Sequence, residues 1–242
     1  MLQAALWGGI AGSSLFIGAM LGIYKEIPKK VSAFVMAFGT GVLIGAATFE
    51  LLINAVNEGG LLYSSLGFLL GAVIFIVAEL IISKKGGNER KRSNINPEHH
   101  SGMAIFIGTI IDAIPESLII GVSLLENHSI SWLIIIAIFI SNFPEALSSS
   151  IGLKKDGYSK KKILILWFVV LVLSSLSSMV GYALIGPSSE VVQGAVGAFA
   201  AGGIIAMVSA TMMPEAFEEG GPIVGLLSAG GVLCSLILTY FG

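Results

Sequence analysis

Charge is what this 242-residue chain has least of: Asp, Glu, Lys and Arg together make up 12% of it, against roughly 25% in an average soluble domain. With 55% hydrophobic residues and a mean hydropathy of +0.93, that scarcity excludes a soluble globular protein and identifies an integral membrane protein. Cysteine is reduced to the single Cys234. This excludes an internal disulfide and any cysteine-built metal site, and leaves a packing residue in an apolar run. Histidine occurs only as His99, His100 and His128, each in a polar connection. Neither His-Glu-x-x-His nor Gly-x-Ser-x-Gly occurs, so an intramembrane enzyme is not expected. Lysine and arginine are missing from every apolar run. An acid inside such a run therefore has no basic side chain of the spans to neutralise it.

What is present is a series of apolar runs of about 18 residues or more, long enough at 1.5 Å per residue to cross a hydrocarbon core of about 30 Å. Eight are counted: Gln3 to Tyr24, Val31 to Val56, Leu61 to Ser83, Gly102 to Leu125, Ile130 to Leu153, Ile163 to Gly186, Glu190 to Met213 and Pro222 to Phe241. The expected fold is an all-α integral membrane protein forming one transmembrane domain over residues 1–242. The first run lacks a preceding basic stretch and does not read as a cleavable signal peptide.

All 13 Lys and Arg lie in three connections, Lys25 to Lys30, Lys84 to Arg92 and Lys154 to Lys162. These are the first, third and fifth loops, and their basic excess marks that side as cytoplasmic, with both termini outside. The second, fourth and sixth loops carry acids only, Glu58, Glu126 and Glu190, while the seventh, with Glu218 and Glu219, is silent. The loop over 84–100 has almost no apolar residues and reads as a flexible cytoplasmic segment. Within it His99 and His100 are candidate pathway residues, although adjacent exposed histidines are more often simply solvated. A net charge of −2 says nothing about a nucleic-acid partner, and none is expected.

The chain also repeats itself. Aligning Pro115 with Pro144 lays IDAIPESLIIG over ISNFPEALSSSIG, so Glu116 falls on Glu145 and Asp112 on Ser141. A second alignment lays GAATFELLINAVNEGG, from Gly45, over AMVSATMMPEAFEEGG, from Ala206. Spans four and five then run in opposite directions, as do two and seven. The expected architecture is an inverted repeat, spans 1–3 against 6–8 and span 4 against 5, as in secondary transporters whose sites lie near mid-membrane.

A charged carboxylate at a helix centre costs about 2.5–3.5 kcal/mol, so Asp112, Glu116 and Glu145 together represent on the order of 8–10 kcal/mol to be offset. Asp112 and Glu116 are four residues apart, as are Ser141 and Glu145, so each pair shares a helix face. Two such acids repel unless one is protonated or a cation lies between them. Protonated carboxyls bonded between helices and a cation or proton site are the two readings. Pro115 and Pro144 each remove a donor and free a backbone oxygen beside the acids. Such oxygen is tolerated only where protein or a polar cavity satisfies it. Asp112, Glu116, Ser141, Asn142 and Glu145 make a chemically complete oxygen shell for a divalent cation.

On these elements, DAIPES and SNFPEA, and on ATFELL around Glu50, the chain resembles the ZIP (Zrt/Irt-like) family of divalent-metal transporters. The family has eight spans, both termini outside and a variable loop between spans three and four. The resemblance implies that Glu116 and Glu145 are central ligands, with Asp112 and Ser141 in the positions of the family's His and His/Gln, and Asn142 in a second-metal position. It implies alternating access, with spans one, four, five and six carrying or supporting the site against a block containing spans two and seven. Glu50 and Glu215, at the ends of the second repeat, are candidate pathway residues.

The departures are informative. Asp112 replaces a histidine, Ala113 the usual asparagine, and Ser178-Met179 a common Glu-Pro. A single site is expected, and its all-oxygen shell suits manganese or iron(II) better than zinc, the family default. The metal is the transported substrate, moved toward the cytoplasm, and no organic cofactor is expected. The expected location is the cell membrane, and the partners are the cation, the bilayer and a second copy of the chain. A non-transporting metal sensor or scaffold of the same fold is the alternative. The Gly-x-x-x-Gly spacings at Gly8, Gly18, Gly41 and Gly67, and the serine runs at 148–150 and 174–178, read as close helix packing.

Overall fold

A computed structural model describes residues 1–25, 27–84, 101–126, 132–185 and 187–241; within the helices, the side chains of 82–84, 101, 102, 104, 105, 111, 112, 115, 125 and 126 lie outside that description. All regular structure among the described residues is helical: α1 (Leu2–Tyr24), α2 (Lys29–Gly45), a π-helical segment (Ala46–Leu52), α3 (Ile53–Lys84), α4 (Ser101–Glu126), α5 (Trp132–Lys155), α6 (Lys160–Ile185), α7 (Glu190–Met207), a second π-helical segment (Val208–Met212), α8 (Met213–Gly220) and α9 (Ile223–Phe241). In hydrocarbon each backbone N–H and C=O must be bonded internally, and helices meet that requirement within one segment.

Among the described residues, six helical stretches are long and apolar enough to cross a membrane: Leu2–Tyr24, Lys29–Ile81, Trp132–Lys155, Lys160–Ile185, Glu190–Gly220 and Ile223–Phe241. The second of these is 53 residues long, and its direction changes at Gly60, where φ is 76° and ψ is 160°. Gly221 at the end of α8 takes a similar left-handed φ of 68°, which only glycine adopts without a Cβ penalty. The polar residues ahead of both glycines, expected as loops, are helical instead. Helix continues through Asn57 and Glu58, and through Glu218 and Glu219. The sequence contains no signal for the π segments, since an inserted residue in a turn leaves composition unchanged.

Two groups of helices emerge from the packing. In one, α1 lies on α5 and α6, and α4 on α6 and α5, around a core that includes Leu15, Phe106, Leu153, Ile163 and the fully buried Trp167. The Phe106 and Trp167 rings meet edge to face, with centroids 5.1 Å apart. In the other, α2 packs on α9 and α8, and α3 along α7. The groups meet mainly where α2 crosses α5, in a core shared by Met36, Val42, Ile134 and Ile138.

Association inside a bilayer depends on close packing and interhelical hydrogen bonds rather than on a hydrophobic drive. Both are seen within the groups. Gly8 and Gly12 abut Ser178 and Ser174, Gly18 and Gly22 abut Phe143 and Leu147, Gly41 and Gly45 abut Ser228 and Ser235, and Gly67 and Gly71 abut Ala195 and Phe199. The expected glycine spacings are therefore packing faces, each with an identified partner. Ser175 Oγ donates to the Ala5 carbonyl at 2.9 Å and Lys154 Nζ to the Ile23 carbonyl at 3.1 Å. Ser228 Oγ donates to Ala37 and Ser235 Oγ to Val42, both at 2.9 Å. Each of these bonds joins helices of one group.

Connections meet as the counting of sides expects. Lys29 Nζ pairs with Glu219 Oε1 at 2.9 Å, and Lys160 Nζ lies 4.9 Å from the centroid of the Tyr24 ring. The α1–α2, α5–α6 and α8–α9 corners thus share one face. Glu58 and Glu190 lie near enough to repel each other, which puts the corners at Gly60 and at the start of α7 together. The 85–100 part of the expected flexible loop lies outside the described residues.

Candidate functional site

α4 and α5, side by side, carry the paired acidic elements into the interior. Glu116 on α4 is 2% exposed and Glu145 on α5 is 6% exposed. Ser141 and Asn142, one turn before Glu145, are equally enclosed. α5 continues as helix through the buried Pro144. Because Pro144 lacks an N–H, the Ile140 carbonyl loses its regular donor beside these side chains.

Ser141 Oγ donates back to the Ile138 carbonyl at 3.1 Å. Its proton is thereby directed along its own helix, and its oxygen lone pairs stay available as acceptors. Two carboxylates, a hydroxyl oxygen and an amide oxygen are hard donors, of the kind that bind divalent cations such as magnesium, calcium or manganese. Among the described residues no three His, Cys, Asp or Glu form a metal-holding group. The expected third carboxylate, Asp112, lies on the helical backbone of α4, with its side chain outside the described residues.

Glu116 also borders a cavity of about 120 Å³ that lies between α4 and the α3–α7 pair. Its other walls are apolar, with Phe75, Ile119, Phe199, Ile204 and Met207 among them. Sequence reasoning missed this cavity, which is built from three helices far apart in the chain.

The remaining candidates are dispersed. Glu50 lies in the first π-helical segment and Glu215 on α8, both half-buried. The segment holding Glu50 touches α5, whereas α8 packs on α2 and α9. His99 and His100 lie outside the described residues. Glu79 is buried on α3. Of the serine runs, Ser149, Ser150, Ser174 and Ser178 are buried, with Ser174 and Ser178 against the α1 glycines. Cys234 is free and half-buried on α9.

A family model described as ZIP zinc transporter matches residues 81–241, well over half of the chain and inclusive of α4 to α9. No curated protein matches the chain.

Proposed function

Because the chain belongs to the ZIP zinc transporter family and is a multi-pass membrane protein that transports divalent metal cations, we propose that it carries them through the carboxylate site between α4 and α5 toward the cytoplasm. The observation that carries this reading is the burial of Glu116 and Glu145 on adjacent apolar helices. A divalent cation offsets two buried carboxylates at once. Asp112, Ser141 and Asn142 complete the proposed shell.

Eight crossings are the proposed topology. A straight helix over Lys29–Ile81 would extend about 80 Å at 1.5 Å per residue, far beyond a core of about 30 Å. The break at Gly60 therefore supports two spans there, and the 26-residue α4 supplies another. The contacts also support the inverted repeat. If α1 corresponds to α6 and α4 to α5, the α1–α5 pair mirrors α6–α4. Likewise α2–α9 mirrors α7–α3. The π-helical segments and the left-handed Gly60 and Gly221 recur in the same order in the two halves. Basic corners on the α1–α2 and α5–α6 face favour that face as cytoplasmic, in the cell membrane. The proposed movement is a displacement of the α1, α4, α5, α6 group against the other.

Manganese or iron(II) is the proposed preferred cargo, from the oxygen-only donors. Thermal stabilisation by manganese(II), iron(II), zinc and cadmium ranks the metals, because a ligand that binds only the folded state raises the melting temperature with its affinity. Asp112→His, which adds the imidazole nitrogen that zinc favours, is expected to shift the zinc-to-manganese preference by about tenfold or more toward zinc. A wild-type protein that already prefers zinc strongly, or an unchanged ranking in the variant, removes the proposed role of Asp112. The reading as a whole is tested by metal flux into liposomes that contain only the purified protein.

A further inference from the structure

We infer that Gly39 is a positioning residue for transport, its missing side chain setting the clearance between the two helix groups where α2 crosses Ser141. The inference rests on the proposed site and on the proposed movement of one group against the other. A Cβ built on Gly39 would stand 3.1 Å from both Cα and N of Ser141 and 3.2 Å from Ile140 Cγ2. That is tighter than ordinary van der Waals contact and mostly against main chain, so α5 must give by a few tenths of an ångström to admit it, less than the overlap at Gly41 requires.

The contrast with Gly41 gives this contact its meaning. Two residues further along α2 is about 200° around the helix at 3.6 residues per turn, and Gly41 faces α9 instead. A Cβ there would drive into the Ser228 carbonyl and stand 3.0 Å from Gly231 Cα. The same backbone-on-backbone contact holds α3 to α7 at Gly71 and α4 to α6 at Gly121. Within each group the helices are therefore seated against each other's main chain, and the hydrogen bonds of Ser175, Lys154, Ser228 and Ser235 reinforce the seating. Closely packed helices move past one another by small sliding displacements. At the crossing of α2 and α5, the smallest possible residue leaves the surface smooth.

Displacing α5 along α2 brings the neighbours of Ser141 on the same helix face, Ile138 and Glu145, past position 39. A side chain there asks α5 to give by a few tenths of an ångström at rest and stands in the way of the passage. It acts on the barrier between states, and the metal shell keeps its donors.

The test measures manganese(II) uptake by proteoliposomes containing Gly39→Ala, Gly39→Val, Gly41→Ala or Glu116→Ala. Maximal uptake is expected to fall stepwise with side-chain size, by about tenfold or more for Gly39→Val, with half-saturating manganese within about twofold, the signature of a step after binding. Manganese-dependent thermal stabilisation is retained, and the metal-free Gly39 variants melt above Gly41→Ala. Wild-type uptake by Gly39→Val overturns the inference. So does a parallel loss of manganese stabilisation, or a melting temperature as low as that of Gly41→Ala. Failure of the underlying site reading registers separately, as normal uptake by Glu116→Ala.

Discussion

Replacing Glu116 by alanine is expected to bring metal uptake down to the background of empty liposomes, with membrane insertion and helix content unchanged. Glu116 sits on α4 at 2% exposure, between the apolar cavity bounded by α3 and α7 and the neighbouring α5 that carries Glu145 and Ser141. Alanine is the strongest helix former, so the substitution does not unsettle α4. A buried carboxyl carries a cost of about 2.5–3.5 kcal/mol when charged at a helix centre, and the metal-free variant is expected to melt at or above the wild-type temperature. What disappears is the metal-dependent increment. At a metal concentration of about a hundred times Kd, binding contributes about 2.7 kcal/mol to the folded state, and Glu116→Ala forfeits most of it. Glu116→Gln keeps the shape and loses the charge, and it is expected to fail in transport as fully. Near-normal uptake by either variant, or metal stabilisation of wild-type size, removes Glu116 from the site.

Gly121→Val is expected to abolish folding of the helix group that carries the site. A Cβ on Gly121 would enter the Ser178 carbonyl and stand 2.8 Å from the Tyr182 nitrogen, and Gly181 meets the Leu118 carbonyl in the same way from the opposite side. α4 and α6 cross main chain to main chain at these two glycines. No side-chain rotamer relieves a clash with backbone, so the helices must separate, and the loss exceeds the roughly 1–3 kcal/mol typical of an overpacked core. Gly203→Ala is the matched control, because its Cβ would come no nearer than 3.9 Å to the Gly71 carbonyl. Thermal melts and size-exclusion profiles of the two variants check this. A Gly121→Val protein that elutes and melts like Gly203→Ala contradicts the α4–α6 crossing.

Much of the candidate site was legible in the sequence because acids in apolar spans are expensive. Asp112, Glu116 and Glu145 stand out among residues that are otherwise hydrocarbon, and the Pro-Glu pairs mark their elements as versions of one another. Glu116, Ser141, Asn142 and Glu145 are buried. Other features had no such signal. The helical continuations through Glu58 and Glu219 look like loops in composition, since their polar residues lie at the corners of the bundle where polarity is tolerated. The π-helical segments alter hydrogen bonding alone. Gly39 is one of 31 glycines and belongs to none of the Gly-x-x-x-Gly spacings singled out.

The sequence by itself determined the membrane class, the positions of most spans and the two paired Pro-Glu elements, because these depend on transfer energies and charge placement that are local to each segment. It also indicated which faces were small enough for close packing. Which face meets which helix was decided only in three dimensions. Gly8 and Gly12 find Ser178 and Ser174, Gly71 finds Phe199, and Gly39 rests on Ser141, pairings that no periodicity contains. In a bilayer every helix is equally apolar to its neighbours, so partners are selected by shape and backbone approach across the interface. That selection divides the chain into two groups and places the acidic elements beside the crossing between them.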